Sequence, residues 1–137
     1  MGLILDSSVA IAGERRGLPA EGVLAAIHEI AGPEDIGLSV VSVMELEHGI
    51  WRAREPARAS RRRQFLEDLI ANVPVYPITT ELARKAGRID AEQQSHGVSI
   101  ASQDLLIGAT ALDLGYAVMT HNVRHFAMIP NLVVKQI

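Results

Sequence analysis

The sequence predicts an α/β fold, a three-layer α/β/α sandwich around a central, mostly parallel sheet, and three observations carry that reading. Short unbroken apolar runs such as Gly2-Leu3-Ile4-Leu5 are too hydrophobic for a strand with one wet face and fit strands covered on both sides. Segments with apolar residues at helical spacing alternate with those runs. The 137 residues, 48% hydrophobic and 21% charged, suit one domain over residues 1–137 with a full-sized core, and they exclude a disordered chain.

Each element follows from local pattern. Gly2–Leu5 ends at Asp6-Ser7-Ser8 and reads as a buried strand feeding a helix. Residues 21–30 place Val23, Leu24, Ile27 and Ile30 at helical spacing, and Gly32-Pro33 stops that segment. A second apolar run, 36–41, leads into Ser42-Val43-Met44-Glu45-Leu46, a cap followed by a helix start. Residues 57–71 repeat helically, with Phe65, Leu66, Leu69 and Ile70 on one face, and Pro74 and Pro77 keep 73–78 extended. Thr79 or Thr80 caps the next helix, whose Leu82, Ala86 and Ile89 hold the period until His96-Gly97 stops it. Ser102 opens another, with Leu105, Ala109 and Leu112 in register and Gly115 closing it. The tail reads as a strand over 116–120, a short helical turn over 123–126 and a last apolar stretch at 132–134.

Composition removes several classes of function. With no cysteine there is no disulfide framework, thiolate zinc site or cysteine nucleophile. No apolar run approaches the roughly 20 residues that cross a bilayer, and the first residues lack the pattern of a signal peptide. The expectation is a cytoplasmic protein with no membrane contact. A net charge of −3 argues against a nucleic-acid coat protein but leaves local basic patches open.

In open α/β sheets ligands bind beyond the carboxyl ends of the strands, so the polar residues after each strand are the candidates. Asp6 follows the first strand, Glu45 lies at the start of the helix after the second, and Asn122 follows the strand ending at Thr120. Asp104 opens the helix before that strand and reaches the same rim if the chain crosses back over the sheet. Each acid also has a local explanation. Asp6 is a preferred helix cap, Ser42 to Glu45 matches a capping box, and Asp104 suits the positive end of a helix. Convergence is what would distinguish function. Three clustered carboxylates repel unless a cation compensates, and Mg2+ or Mn2+ prefers such oxygens while keeping positions open for substrate phosphates. The chemistry that fits is phosphodiester hydrolysis. Ser7, Thr120 and Asn122 are the supporting candidates, able to hold a carboxylate, a water or substrate.

These residues resemble the PIN-domain ribonucleases, and specifically the VapC-type toxins of bacterial toxin–antitoxin pairs. The resemblance rests on Leu3-Ile4-Leu5-Asp6-Ser7-Ser8, on the segment from Ser42 to Gly49, on Gln103 to Ala111 and on Met119 to Phe126, in that order along nearly the whole chain. It implies a metal-dependent endoribonuclease toxin, an RNA substrate, a cognate antitoxin that blocks the site and a homodimer. By resemblance Asp6, Glu45 and Asp104 take the places of three core acids. Asn122 and His125 stand where many relatives carry a fourth, which implies one tight metal site and a weaker or substrate-completed second. His121 and His125, four apart, would form a zinc pair only if the tail helix extended to both.

Six of the 13 basic residues, Arg52, Arg54, Arg58, Arg61, Arg62 and Arg63, fall within twelve positions. The run fits a solvated helix face, or an edge where Arg52, Arg54 and Arg58 contact RNA phosphates or an acidic antitoxin. Aromatic residues are too few for recognition by base stacking. Phe65 and Phe126 read as core, and Trp51 as either partly buried or part of an interface. Two other readings compete: a catalytically silent PIN-like partner-binding scaffold, and a receiver-type signalling domain. The receiver needs a lysine at the site, and the only lysines are Lys85 in a helix and Lys135 in the last strand. A haloacid-type phosphatase lacks its second aspartate, because Ser7 and Ser8 follow Asp6.

Overall fold

The computed structural model describes residues 1–137. Its strands are β1 (Gly2–Leu5), β2 (Asp35–Ser39), β3 (Val75–Tyr76), β4 (Ala117–Thr120) and β5 (Val134–Gln136). They form one sheet in the order β3-β2-β1-β4-β5, with every pairing parallel. The helices are α1 (Ser7–Arg15), α2 (Ala20–Ala31), α3 (Val40–Arg52), α4 (Pro56–Asn72), α5 (Thr80–Ser95), α6 (Ser102–Leu114) and α7 (Val123–Phe126).

Alternation along the strands builds two cores. Leu3, Leu5, Leu38 and Met119 face one side of the sheet and pack with Val9, Ile27, Phe65 and Leu69. Ile4 and Val118 face the other and pack with Leu82, Ile107 and Phe126. Because β1 and β4 are covered on both sides, all their residues are buried, as the unbroken apolar runs require. The α/β/α sandwich read from the sequence is the one observed, and Phe65 and Phe126 are core residues.

Four local readings change. The run 36–41 is strand only to Ser39, whose hydroxyl accepts the Val41 N–H at 3.1 Å and caps α3. The Ser42 capping box therefore does not form: Ser42 lies inside the helix and its hydroxyl donates to the Leu5 carbonyl at 3.3 Å. Ile70 remains exposed, since Phe65, Leu66 and Leu69 alone complete the buried face of α4. The last strand starts at Val134, because pairing with β4 selects residues that extend its register and not the most apolar triplet. Gly115, at φ +69°, supplies the left-handed residue that ends α6 and turns the chain into β4.

Sheet order fixes where a site can form. From β1 the chain builds outward to β2 and β3, then returns through α5 and α6 to place β4 on the other side of β1. The carboxyl ends of β1 and β4 thus flank the point where the strand order reverses, the crevice where open α/β sheets bind ligands.

Candidate metal-dependent active site

Asp6 stands at the end of β1, in the crevice. It occupies the N-cap position of α1 but makes no capping hydrogen bond; its side chain turns instead toward β4. Asp6 Oδ2 accepts from the Thr120 hydroxyl at 2.9 Å and from the Ser8 hydroxyl at 2.7 Å. The Asp6 backbone N–H donates to the Met119 carbonyl at 3.0 Å, which locks the carboxylate against β4. Thr120 in turn accepts the Asn122 N–H at 2.8 Å, and Ser8 accepts the His121 N–H at 3.2 Å. Both hydroxyls reach the same Asp6 oxygen, so Oδ1 is left for another partner. A carboxylate only 4% exposed, with two neutral donors and no counter-charge bonded to it, favours a cation nearby.

Glu45 and Asp104 share that environment. Burial raises the Glu45 carboxyl above its ordinary range and the charge of Asp6 adds to it; the Ser7 hydroxyl opposes, and the charge of Asp104 makes the smallest contribution, again upward. Burial likewise raises Asp104, reinforced by Asp6 and partly offset by His125, whose Nδ1 lies 3.4 Å from Asp104 Oδ2. Glu45 Oε1 is buried with no hydrogen-bond partner. These effects place Asp6, Glu45 and Asp104 in one electrostatic neighbourhood at the carboxyl edge of the sheet. No three of the His, Asp and Glu side chains are near enough to close round one ion unaided. Mutual repulsion keeps uncompensated carboxylates apart, and Mg2+ or Mn2+ needs only one or two of them, completing its shell with water and substrate oxygens. An orphaned buried oxygen, a half-satisfied buried aspartate and a hard-oxygen donor set therefore fit such an ion.

The remaining candidates separate clearly. Ser7 is buried beside Glu45, and Thr120 is wholly buried against Asp6. Asn122 is exposed, and only its backbone N–H takes part, through Thr120. His121 precedes α7, which runs only over Val123–Phe126, so the two histidines do not share a helix and no zinc pair forms. Trp51 is 76% exposed on α3, its Nε1 donating to Glu47 at 2.7 Å, which leaves it outside the core.

A groove of about 850 Å³ runs from Glu45 and Gln103 between α1, α3 and α4, and Arg52, Arg54 and Arg58 line it. Arg62 lines it too but is committed: it donates to the Gly49 carbonyl at 2.7 Å and lies 3.9 Å from Glu14, joining α4 to α3 and α1. Composition of the basic run did not separate this structural arginine from its free neighbours. Ser8 was missed as an Asp6 partner, although its spacing two residues on is the usual one for a local side-chain bond.

Comparison with known proteins agrees with this geometry. The PIN domain family model matches residues 3–131. Ribonuclease VapC19 of Mycobacterium tuberculosis is 34% identical over 129 residues, covering 94% of this chain and 95% of the relative. Among solved structures, VapBC2 of Rickettsia felis bound to a DNA fragment from its promoter superposes with a TM-score of 0.83 at 18% identity, over 99% of this chain and 98% of the other. VapBC-5 of Mycobacterium tuberculosis, a member of the VapBC family of toxin–antitoxin systems, superposes with a TM-score of 0.72 at 23% identity, over 100% and 98%. A match over nearly the whole length, together with acids gathered at the switch point of a parallel sheet, places the chain in the PIN-domain family.

Proposed function

We propose that this chain is a divalent-metal-dependent endoribonuclease, the toxin of a toxin–antitoxin pair, acting in the cytoplasm as a homodimer and silenced by a cognate antitoxin. The observation that carries the reading is the buried Asp6, held on one oxygen by Ser8 and Thr120 while its charge acts on both Glu45 and Asp104. The ribonuclease name of the 34% identical relative supports RNA as substrate, and the toxin–antitoxin complexes among the structural neighbours support the partner.

Asp6 and Asp104 would hold Mg2+ or Mn2+, with Glu45 as a third ligand or a base orienting the attacking water. When bound, the ion neutralises the carboxylates, polarises the scissile phosphate and makes water a better nucleophile. Glu45, whose carboxyl is raised by burial and its acidic neighbours, would serve as the base that accepts a proton from the attacking water. Thr120 and Ser8 keep Asp6 from rotating away, and Ser7 stands by Glu45. Arg52, Arg54 and Arg58 offset the acidic crevice along the groove and give the RNA backbone a path to it.

Purified protein, Asp6→Asn and Asp104→Asn are compared for RNA cleavage in Mg2+ and in Mn2+, with the RNA ends sequenced. Wild type should cut at defined ends, and both variants should fall by several orders of magnitude. With contaminating nuclease controlled, equal cleavage by wild type and variants would overturn the proposal. Calorimetry with no carboxylate-dependent ion binding would favour the silent scaffold.

A further inference from the structure

At the acidic rim one imidazole, that of His125, stands against a carboxylate of the site. We infer, resting on the metal-dependent reading above, that His125 Nδ1 is a direct ligand of the ion held by Asp104, and that this nitrogen donor makes the centre prefer Mn2+ over Mg2+.

The argument starts from placement. His125 lies on α7, a single turn leaving β4, and is fixed by its neighbours: Phe126 is fully buried in the core, and the His125 N–H donates to the Asn122 carbonyl at 3.1 Å. The imidazole therefore projects from an anchored turn toward α6, where its Nδ1 stands 3.4 Å from Asp104 Oδ2. Two donors adjacent on one octahedral ion, each at about 2.1 Å, are about 3.0 Å apart. The pair needs to close by only a few tenths of an ångström. Both Asn122 and His125 are exposed, but Asn122 reaches the site only through its backbone N–H whereas the His125 ring stands beside Asp104, so His125 is the better-placed donor.

Chemistry then sets the preference. Mg2+ is hard, sheds water reluctantly and takes oxygen ligands, whereas imidazole suits first-row transition ions. With Asp104 supplying oxygen, His125 one nitrogen, and water and substrate oxygens the rest of the shell, the donor set suits Mn2+ better than an all-oxygen centre would. A plain His125–Asp104 ion pair is the competing explanation for the contact, and it predicts no nitrogen on the metal.

The test uses untagged protein loaded with Mn2+ and read by electron paramagnetic resonance, which needs no RNA. Continuous-wave spectra give the bound fraction, and pulsed spectra reveal coupling to a coordinated ¹⁴N. Wild type and His121→Gln should show that coupling, and His125→Asp should bind Mn2+ without it. Mg2+ should displace Mn2+ from His125→Asp at least about tenfold more readily than from wild type. Mn2+ bound in an Asp6-dependent way, but with no nitrogen coupling in wild type or with the same Mg2+ competition in His125→Asp, overturns the inference and leaves the metal site standing. Mn2+ binding that Asp6→Asn does not weaken overturns both.

Discussion

Replacing Thr120 by valine removes one hydroxyl from a fully buried side chain while nearly preserving its shape, so the cost reports chiefly the bond to Asp6. A hydrogen bond to a charged group contributes about 1.5–3 kcal/mol. Two other contacts are lost: the Asn122 N–H belongs to an exposed residue that water can serve, and the Ser8 hydroxyl at 3.4 Å keeps its shorter bond to Asp6, so both add little. The expected loss is about 2 kcal/mol in urea unfolding, or about 8 °C in Tm for a chain of this size. The same substitution in an Asp6→Asn background should cost about 1 kcal/mol less, because a neutral acceptor gains less from the hydroxyl. With Asp6 freed to rotate, Mn2+ affinity should fall about 10–100-fold, as it does when other outer partners of metal ligands are removed. A cost below about 0.5 kcal/mol, or an equal cost in both backgrounds, would show that Thr120 does not hold Asp6 and would remove the rigid carboxylate from the argument.

Other outcomes follow from the same geometry. In chelator, the Glu45 and Asp104 carboxyls, raised by burial and by Asp6, keep protons in the folded state that the unfolded chain has already released. Stability should therefore fall as pH rises from the ordinary carboxylate range through those raised values, and Glu45→Gln should flatten the profile and exceed wild type at pH 7. A steeper profile in the variant, from urea midpoints across pH, would reverse the sign. Paired Arg52→Gln and Arg58→Gln substitutions should weaken single-stranded RNA binding and reduce the slope of log K against log salt by about 1.4, with Mn2+ affinity unchanged. An unchanged salt slope would move the RNA path elsewhere. Trp51→Ala should alter monomer stability by less than about 0.5 kcal/mol, given its exposure. As the only tryptophan, Trp51 should emit at the red-shifted wavelength of a wet indole, and a blue shift on adding a second copy or antitoxin would mark α3 as the interface.

Sequence patterning alone determined that parallel strands alternate with helices, because burial on both faces leaves unbroken apolar runs and helix faces leave a regular period. It also set Asp6 and Thr120 at strand ends, since side-chain chemistry changes abruptly where a strand leaves the core. It could not distinguish capping from catalysis at Asp6, Glu45 and Asp104, because acids near helix starts satisfy backbone N–H groups in either case. Tertiary structure removed the capping explanation at Asp6 and Glu45 and left Asp104 in the first turn of α6. The return of β4 alongside β1 brings Thr120 to Asp6 across 114 positions, the cap of α3 falls at Ser39, and Glu45 is left with a buried oxygen that bonds to nothing. The same crossover set His125 against Asp104, a juxtaposition no local pattern contains. Strand and helix propensities act over a few residues, whereas the site depends on the order in which distant strands pair, which only the assembled sheet fixes.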